Sequence, residues 1–362
     1  MAKKAVIAMS GGVDSSVAAL LMVEKGFECI GATMKLFYNE DIGIEKKNSC
    51  CSLDDVEDAR SVAHGLGMPY YVFNFTDNFK EQVIERFIKA YETGCTPNPC
   101  IDCNRYMKFD KLFLRMTELE MDYVVTGHYV RTEKAEDGRW LLKKAVDSTK
   151  DQSYVLYMLT QEQLEHAYFP LGELEKTQVR EIAEKHGFVN ARKHDSQDIC
   201  FVPDGKYAEF IERQTGRTYP EGDFADMQNN ILGKHKGIIN YTIGQRKGLG
   251  ISADRPLYVC AIDTAANRVV LGDNKDLMHD ELIAGDVNLI SVESIKEPMR
   301  VKAKIRYNQK EQPALAWQEE NGDLHIKFDE QQRAITRGQA AVLYDGDIVV
   351  GGGTIKEIIK SI

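Results

Sequence analysis

Long apolar runs are missing from this sequence. Its longest early stretch, Val17–Val23, falls far short of the roughly 20 residues that span a bilayer. The start, Met1-Ala2-Lys3-Lys4 and then Ala5–Met9, imitates a signal peptide, but it turns at once into Ser10-Gly11-Gly12 and no small-residue cleavage site follows. Cysteine is sparse, since eight in 362 residues cannot build a disulfide scaffold. These absences point to the cytoplasm. A basic excess is lacking too: Asp plus Glu number 56 against 46 Lys plus Arg, a formal charge of −10. Taken whole, that balance speaks against a nucleic-acid partner, whose phosphates need a basic footprint. The objection concerns the total and not where the charges sit. No internal repeat or low-complexity tract occurs, and 43% hydrophobic with 28% charged residues excludes a disordered chain.

What is there reads as alternation. Ala5–Met9 is a short apolar run, followed by a Gly-rich turn and a helical pattern over Ser15–Lys25. Glu28–Leu36, Tyr70–Phe75 and Tyr123–Thr126 read as strands, with Leu53–Leu66, Phe79–Tyr91 and Lys108–Leu119 as helices. Such alternation predicts a doubly wound α/β domain on a parallel sheet, with its chemistry at the carboxyl ends of the strands. The stretch from Asp151 to about Val189 reads as helical, clearest at Thr177–His186. A change near Phe201-Val202-Pro203 closes this domain, expected over 1–203. A small mixed domain is expected over 204–278, with one helix at Tyr207–Gln214. Over 279–362, alternating segments and turns such as Asn321-Gly322 and Asp345-Gly346 predict an antiparallel barrel.

Ser10-Gly11-Gly12-Val13-Asp14-Ser15-Ser16 lies between the first strand and the first helix. Two glycines permit a tight turn whose N–H groups can cradle an anion at a helix N-terminus. Ser10, Ser15 and Ser16 add hydroxyl donors, and Asp14 can hold the loop or a Mg²⁺ ion. No Walker loop and no G-x-G-x-x-G after a strand is present. An ordinary capped β-to-α turn would use similar residues, though not all seven in type. The loop resembles the pyrophosphate-binding loop of the N-type ATP pyrophosphatases, which cleave ATP between its α and β phosphates and leave an adenylated substrate.

Two further blocks narrow the resemblance. One is Gly94-Cys95-Thr96-Pro97-Asn98-Pro99-Cys100-Ile101-Asp102-Cys103-Asn104-Arg105 with Lys108-Phe109-Asp110; the other is Asp195-Ser196-Gln197-Asp198-Ile199-Cys200-Phe201. With Cys50-Cys51-Ser52, Thr126-Gly127-His128-Tyr129, Arg306-Tyr307 and Gly338-Gln339, the chain resembles the tRNA-specific 2-thiouridylase family along nearly its whole length. The chemistry is intelligible from the residues. Replacing a carbonyl oxygen by sulfur needs a leaving group, which adenylation supplies, and a sulfur carrier, which a cysteine persulfide supplies. A second thiol must release the outer sulfur and end as a disulfide.

The resemblance implies that Cys200 carries the persulfide and Cys103 is the nucleophile, the two ending as a redox disulfide. It implies ATP at Ala8, Met9, Ser10, Gly11, Gly12, Val13, Asp14, Ser15 and Met34, with Gly127 closing over the adenosine, and Mg²⁺ as cofactor. Asn98, Pro99 and Cys100 would line the target base, the wobble uridine in the tRNA anticodon loop. His128, Lys150, Asp151, Gln152, Arg306, Tyr307 and Gln339 would contact tRNA, and a cysteine desulfurase or sulfur-relay protein would supply sulfur.

At Cys100 many members carry aspartate. The thiol creates Cys100-x-x-Cys103, and with Cys200 these are candidate ligands of an iron–sulfur cluster, an alternative sulfur route ranked behind the persulfide. Asp102 is a substitute base, although on an extended loop it would point away from Cys103. C-x-x-C is also half of a zinc site. Cys29 and Cys260 read as core residues, Cys95 stays ambiguous, and Trp140 and Trp317 read as packing. A small-molecule synthetase with the same loop would need neither the placed cysteines nor tRNA contacts. Counted locally, Ile231–Gly250 carries four basic residues and no acid, and Lys296–Lys310 carries six against Glu297. Either run alone is an ordinary solvated face; beside the cysteine blocks they become a basic footprint for tRNA.

Overall fold

The computed structural model describes residues 2–38, 53–193 and 199–359. Cys50-Cys51-Ser52 and Asp195–Asp198 lie outside the described residues. The chain packs as two compact units, Met1–Ile84 with Pro99–Gly205 and Asp347–Val349, and Glu85–Asn98 with Lys206–Gly346 and Val350–Ile362.

The first unit is built on a parallel sheet. Its strands are β1 (Lys4–Ala8), β2 (Glu28–Lys35), β3 (Tyr70–Asn74) and β4 (Tyr123–Val125); after a hairpin of β5 (Val130–Lys134) and β6 (Trp140–Lys144) comes β7 (Ala167–Tyr168). The order is β3-β2-β1-β4-β7, every pairing parallel. Side chains alternate across β1 as a strand requires. Ala5 and Ile7 pack with Met22 of the helix Val13–Glu24 and Val62 of Leu53–Gly65, whereas Val6 packs with Leu112 and Met116 on the opposite face. With both faces covered, a central residue such as Ile7 is fully buried, contributing about 1.5–3 kcal/mol of apolar transfer. This is the doubly wound sheet the alternation predicts.

Topology then fixes where a ligand can sit. The chain leaves β1 toward β2 and β3, then returns to place β4 on the other flank of β1. The switch point lies at the carboxyl ends of β1 and β4, between the turn after Ala8 and the turn after Val125.

Several elements differ from the sequence pattern. The segment read as a loop up to Lys108 becomes helical at Pro99: an α-turn Pro99–Asp102 runs into a π-helix Cys103–Lys111 and then into Leu112–Glu118. A second π-helical stretch, Lys80–Ile84, interrupts the helix expected over Phe79–Tyr91. The stretch read as helical after Asp151 holds a 3₁₀ turn at Ser153–Val155, helices at Gln161–His166 and Lys176–Lys185, and the edge strand β7. The β5–β6 hairpin was not foreseen, though Asp137-Gly138 marks its turn.

The second unit holds a four-stranded sheet of β8 (Gly222–Ala225), β9 (Ile231–His235), β10 (Tyr258–Asp263) and β11 (Arg268–Gly272), in the order β10-β11-β8-β9. It also holds a barrel of β12 (Met278–Leu289), β13 (Met299–Lys304), β14 (Gln312–Gln318), β15 (Leu324–Arg333), β16 (Ala340–Asp345) and β17 (Ile348–Ile359). Pairing of β12 with β17 closes that barrel. Gly353 permits the closure, because a Cβ there would stand 2.8 Å from the Gly285 carbonyl oxygen. No helix among the described residues is long and apolar enough to cross a membrane.

Candidate active site

The glycine loop occupies the switch point. Gly11 has φ +74°, and a Cβ there would lie 2.3 Å from the Asp55 carbonyl oxygen, so only glycine fits. Gly12 stands in extended conformation as the N-cap of the helix Val13–Glu24. The loop is braced from several sides. Lys176 Nζ donates to both Asp14 carboxylate oxygens at 2.7 Å, and the Tyr129 hydroxyl donates to Oδ1 at 2.7 Å. Asn190 Nδ2 donates to the Gly11 carbonyl at 2.9 Å and to Ser16 Oγ at 2.9 Å, while Lys193 Nζ reaches the Gly11 carbonyl at 3.2 Å, Asp55 at 2.5 Å and Asp58 at 2.8 Å. Gly127 backs onto the loop so closely that a Cβ would meet Asp14 C and Ser15 N at 2.9 Å.

These partners revise the expected role of two serines and match one of the two roles open to Asp14. The hydroxyls of Ser15 and Ser16 donate to the Gly12 carbonyl at 3.0 and 3.1 Å, so they tie the turn together; Ser10 is the loop serine left on the surface. Asp14 spends its carboxylate on Lys176 and Tyr129 and acts as a loop anchor, which does not fit a resident magnesium site. Lys176, Asn190 and Lys193 escaped the sequence reading, because each reaches the loop from far along the chain. Met34 lies on β2, packed beside Val6 and Ile30.

Cys103 opens the π-helix, with Cys100 and Asp102 on the turn before it. Burial pushes its thiol up to about 11; the Lys108 ammonium pulls it down, and Cys100 and Asp102 push it up further. Asp102 sits on a helical turn and not on the extended loop on which it would have faced away from Cys103. Lys108 Nζ sits 3.3 Å from His128 Nε2, and His128 Nδ1 sits 2.7 Å from Thr126 Oγ1. An ammonium only donates, so Nε2 is the acceptor and Nδ1–H donates to Thr126. Burial and Lys108 together hold the His128 pKa well below its ordinary range, keeping the ring neutral. Asn104, 2% exposed, ties the same helix to the Val155 carbonyl at 3.0 Å.

Cys200 precedes Phe201, whose ring meets Phe79 edge-on at 5.7 Å. Phe79 ends the helix Thr76–Phe79, which packs against the Cys103 helix. All six described cysteines are thiols, none in a disulfide. Among the described residues no three His, Cys, Asp or Glu side chains gather as a metal site. Cys29 is buried in a strand, as expected, and Cys260 is half-buried.

The expected tRNA contacts divide between structural and surface roles. Asp151 accepts from Ala145 N and from the Ser153 hydroxyl, and Gln152 Oε1 accepts from Tyr129 N at 2.9 Å. His128 is buried, at 6% exposure. Lys150 lies half-buried beside them. In the second unit, one guanidinium nitrogen of Arg306 donates to the carbonyls of Ile243 and Ala334 and to Thr336 Oγ1. Tyr307 is exposed, with the Lys304 ammonium 5.5 Å from its ring centre. Gln339 Nε2 donates to the carbonyls of Thr96 at 2.8 Å and Pro97 at 3.2 Å, bracing the run into Asn98. Pro99 is buried and Cys100 exposed at the head of the cysteine helix.

A parallel sheet carrying a braced glycine loop at its switch point defines a nucleotide-binding α/β protein. Residues 3–204 match the model of the tRNA methyl transferase HUP domain, residues 208–273 that of the tRNA methyl transferase PRC-barrel domain, and residues 279–355 that of the aminomethyltransferase beta-barrel domain. The tRNA-specific 2-thiouridylase MnmA of Clostridioides difficile (strain 630) is 54% identical over 99% of both chains. Its namesake in Acetivibrio thermocellus is 51% identical over 98% of this chain and 99% of its own. The chain belongs to the tRNA-specific 2-thiouridylase family.

Proposed function

We infer that the protein is a tRNA-uridine 2-sulfurtransferase acting on the wobble uridine. The observation that carries this reading is the pairing, within one unit, of a phosphate loop braced at the switch point with two thiol-bearing segments. ATP binds along Ala8–Ser15 and Met34, with Gly127 behind the loop, and Mg²⁺ arrives on the ATP phosphates as part of the substrate. The uridine C2 oxygen attacks the α phosphorus, pyrophosphate leaves, and the oxygen becomes an AMP leaving group. The outer sulfur of a Cys200 persulfide attacks C2 and expels AMP. The Cys103 thiolate then attacks the Cys200 sulfur, the S–S bond to the transferred sulfur breaks, and its electron pair leaves as the C2 thiocarbonyl. Cys103 and Cys200 end as a disulfide, which an external thiol reduces before a sulfur donor such as a cysteine desulfurase or relay protein reloads Cys200.

In this reading Asn98, Pro99 and Cys100 line the flipped base, Tyr307 offers a stacking face, and Gln339, Asp151 and Gln152 set the shape of tRNA-facing loops. His128 serves from the interior. The test is pyrophosphate release measured with and without tRNA, followed by mass spectrometry of the tRNA nucleosides. Release that depends on tRNA, with 2-thiouridine formed, is expected. Equal release without tRNA overturns the reading in favour of a small-molecule synthetase. Cys200→Ser should still release pyrophosphate and bind tRNA yet form no 2-thiouridine.

A further inference from the structure

We propose that Lys176 is a positioning residue for the triphosphate of ATP and acts through Asp14: its buried ammonium cancels the carboxylate in the first turn of the loop's helix, so that this helix end still offers positive charge to an anion. The inference rests on the reading that ATP binds at this loop. A charge balance carries it. The N-terminus of a helix such as Val13–Glu24 presents about half a positive charge, on which a bound anion relies. Asp14 places a full negative charge in that first turn. Unpaired, it would take the helix end from about +0.5 to about −0.5; paired with an ammonium, it leaves the end positive.

The geometry is that of a dedicated pair. Lys176 Nζ lies 2.7 Å from both Asp14 oxygens, and the lysine side chain is 10% exposed against 31% for the aspartate. The lysine is fixed at both ends. Its backbone N–H donates to Asp147 Oδ2 at 3.0 Å, and its ammonium stands 5.7 Å from the centre of the Tyr129 ring, whose hydroxyl donates to the same Asp14 carboxylate. A buried ion pair seldom stabilises a fold more than apolar residues of equal size, so folding alone does not account for this one. Nor can the neighbouring cation take its place. Lys193, a second ammonium at the loop, is already shared between Asp55 at 2.5 Å, Asp58 at 2.8 Å and the Gly11 carbonyl at 3.2 Å.

Calorimetric titration of the full-length enzyme with ATP and, separately, with adenosine tests this. Lys176→Met should weaken ATP binding at least about tenfold and leave adenosine binding within about twofold of wild type. Lys176→Met combined with Asp14→Asn should return ATP binding to within about threefold of wild type, because no carboxylate is left to cancel. A loop merely misshapen by loss of the lysine would gain nothing from the second substitution. ATP affinity unmoved by Lys176→Met overturns the proposal, as does an equal fall for adenosine, or a double variant no better than the single one. Should Lys176→Met lose its cooperative melting, the double variant, neutral at both positions, carries the test. ATP binding there within about threefold of wild type supports the proposal, and a loss of about tenfold overturns it. Wild-type enzyme that binds no ATP would overturn the reading of the loop itself, and the proposal with it.

Discussion

Single residues at the switch point carry burdens that their neighbours cannot share. Gly11 meets two conditions at once, a left-handed backbone and the Asp55 carbonyl where a Cβ would stand. Gly11→Ala should therefore lower stability by about 2 kcal/mol or more and reduce tRNA-dependent pyrophosphate release at least about tenfold, read by urea denaturation and a pyrophosphate assay. Unchanged release would mean the loop does not hold the nucleotide. The glycine, Asp14 and the cysteines were legible in the sequence because motif residues sit close together along the chain. Lys176, Asn190 and Lys193 were not, since the buried lysine holding Asp14 stands 162 positions away from it. Nothing in a lysine's neighbours announces that its ammonium will fold back onto a glycine carbonyl.

Among elements, β1 to β4 were read to within a residue or two, and for β1 and β4 an apolar run buried on both faces leaves a plain signal, whereas the two-residue edge strand β7 was read as helix. The helices bearing the cysteines were misjudged for two physical reasons. Pro97-Asn98-Pro99 reads as a turn, yet proline is well suited to the first helical position, where its missing N–H costs nothing. The π geometry of Cys103–Lys111 then breaks the 3.6-residue period by which helices are recognised. The run that leads into this helix is itself held: Thr96 N donates to the Arg337 carbonyl, and Gln339 grips the carbonyls of Thr96 and Pro97. Gln339→Ala removes that grip at a cost of about 1 kcal/mol. The expected outcome is a roughly tenfold lower kcat/KM for tRNA with the KM for ATP unchanged, measured by steady-state kinetics. A matching rise in the ATP constant would instead point to a general loss of structure.

For the whole molecule, the acidic total concealed a local excess. The basic runs Ile231–Gly250 and Lys296–Lys310 both fall in the second unit, on the four-stranded sheet with its following loops and on the barrel strand β13 with its own. Lys304 beside the exposed Tyr307 places a cation and an aromatic face together, the combination that single-stranded RNA accepts. Binding of tRNA should therefore weaken at least about tenfold between 50 and 200 mM salt despite the net charge of −10. A filter-binding titration at several salt concentrations checks this, and a flat dependence would remove these runs from the interface. The β5–β6 hairpin shows the opposite failure of reading, a turn dipeptide present in the sequence but passed over between two patterns.

The barrel's closure has a consequence for synthesis. Its first strand, β12, waits for its partner β17 while four other strands are made, and β17 is last among the described elements to be translated. Until residues 348–359 leave the ribosome, β12 keeps one unpaired edge along twelve residues. The nascent chain is thus most exposed to strand-to-strand aggregation late, when the nucleotide-binding sheet is already complete. Stalling or proteolysis before residue 348 would leave a finished phosphate loop attached to an open sheet.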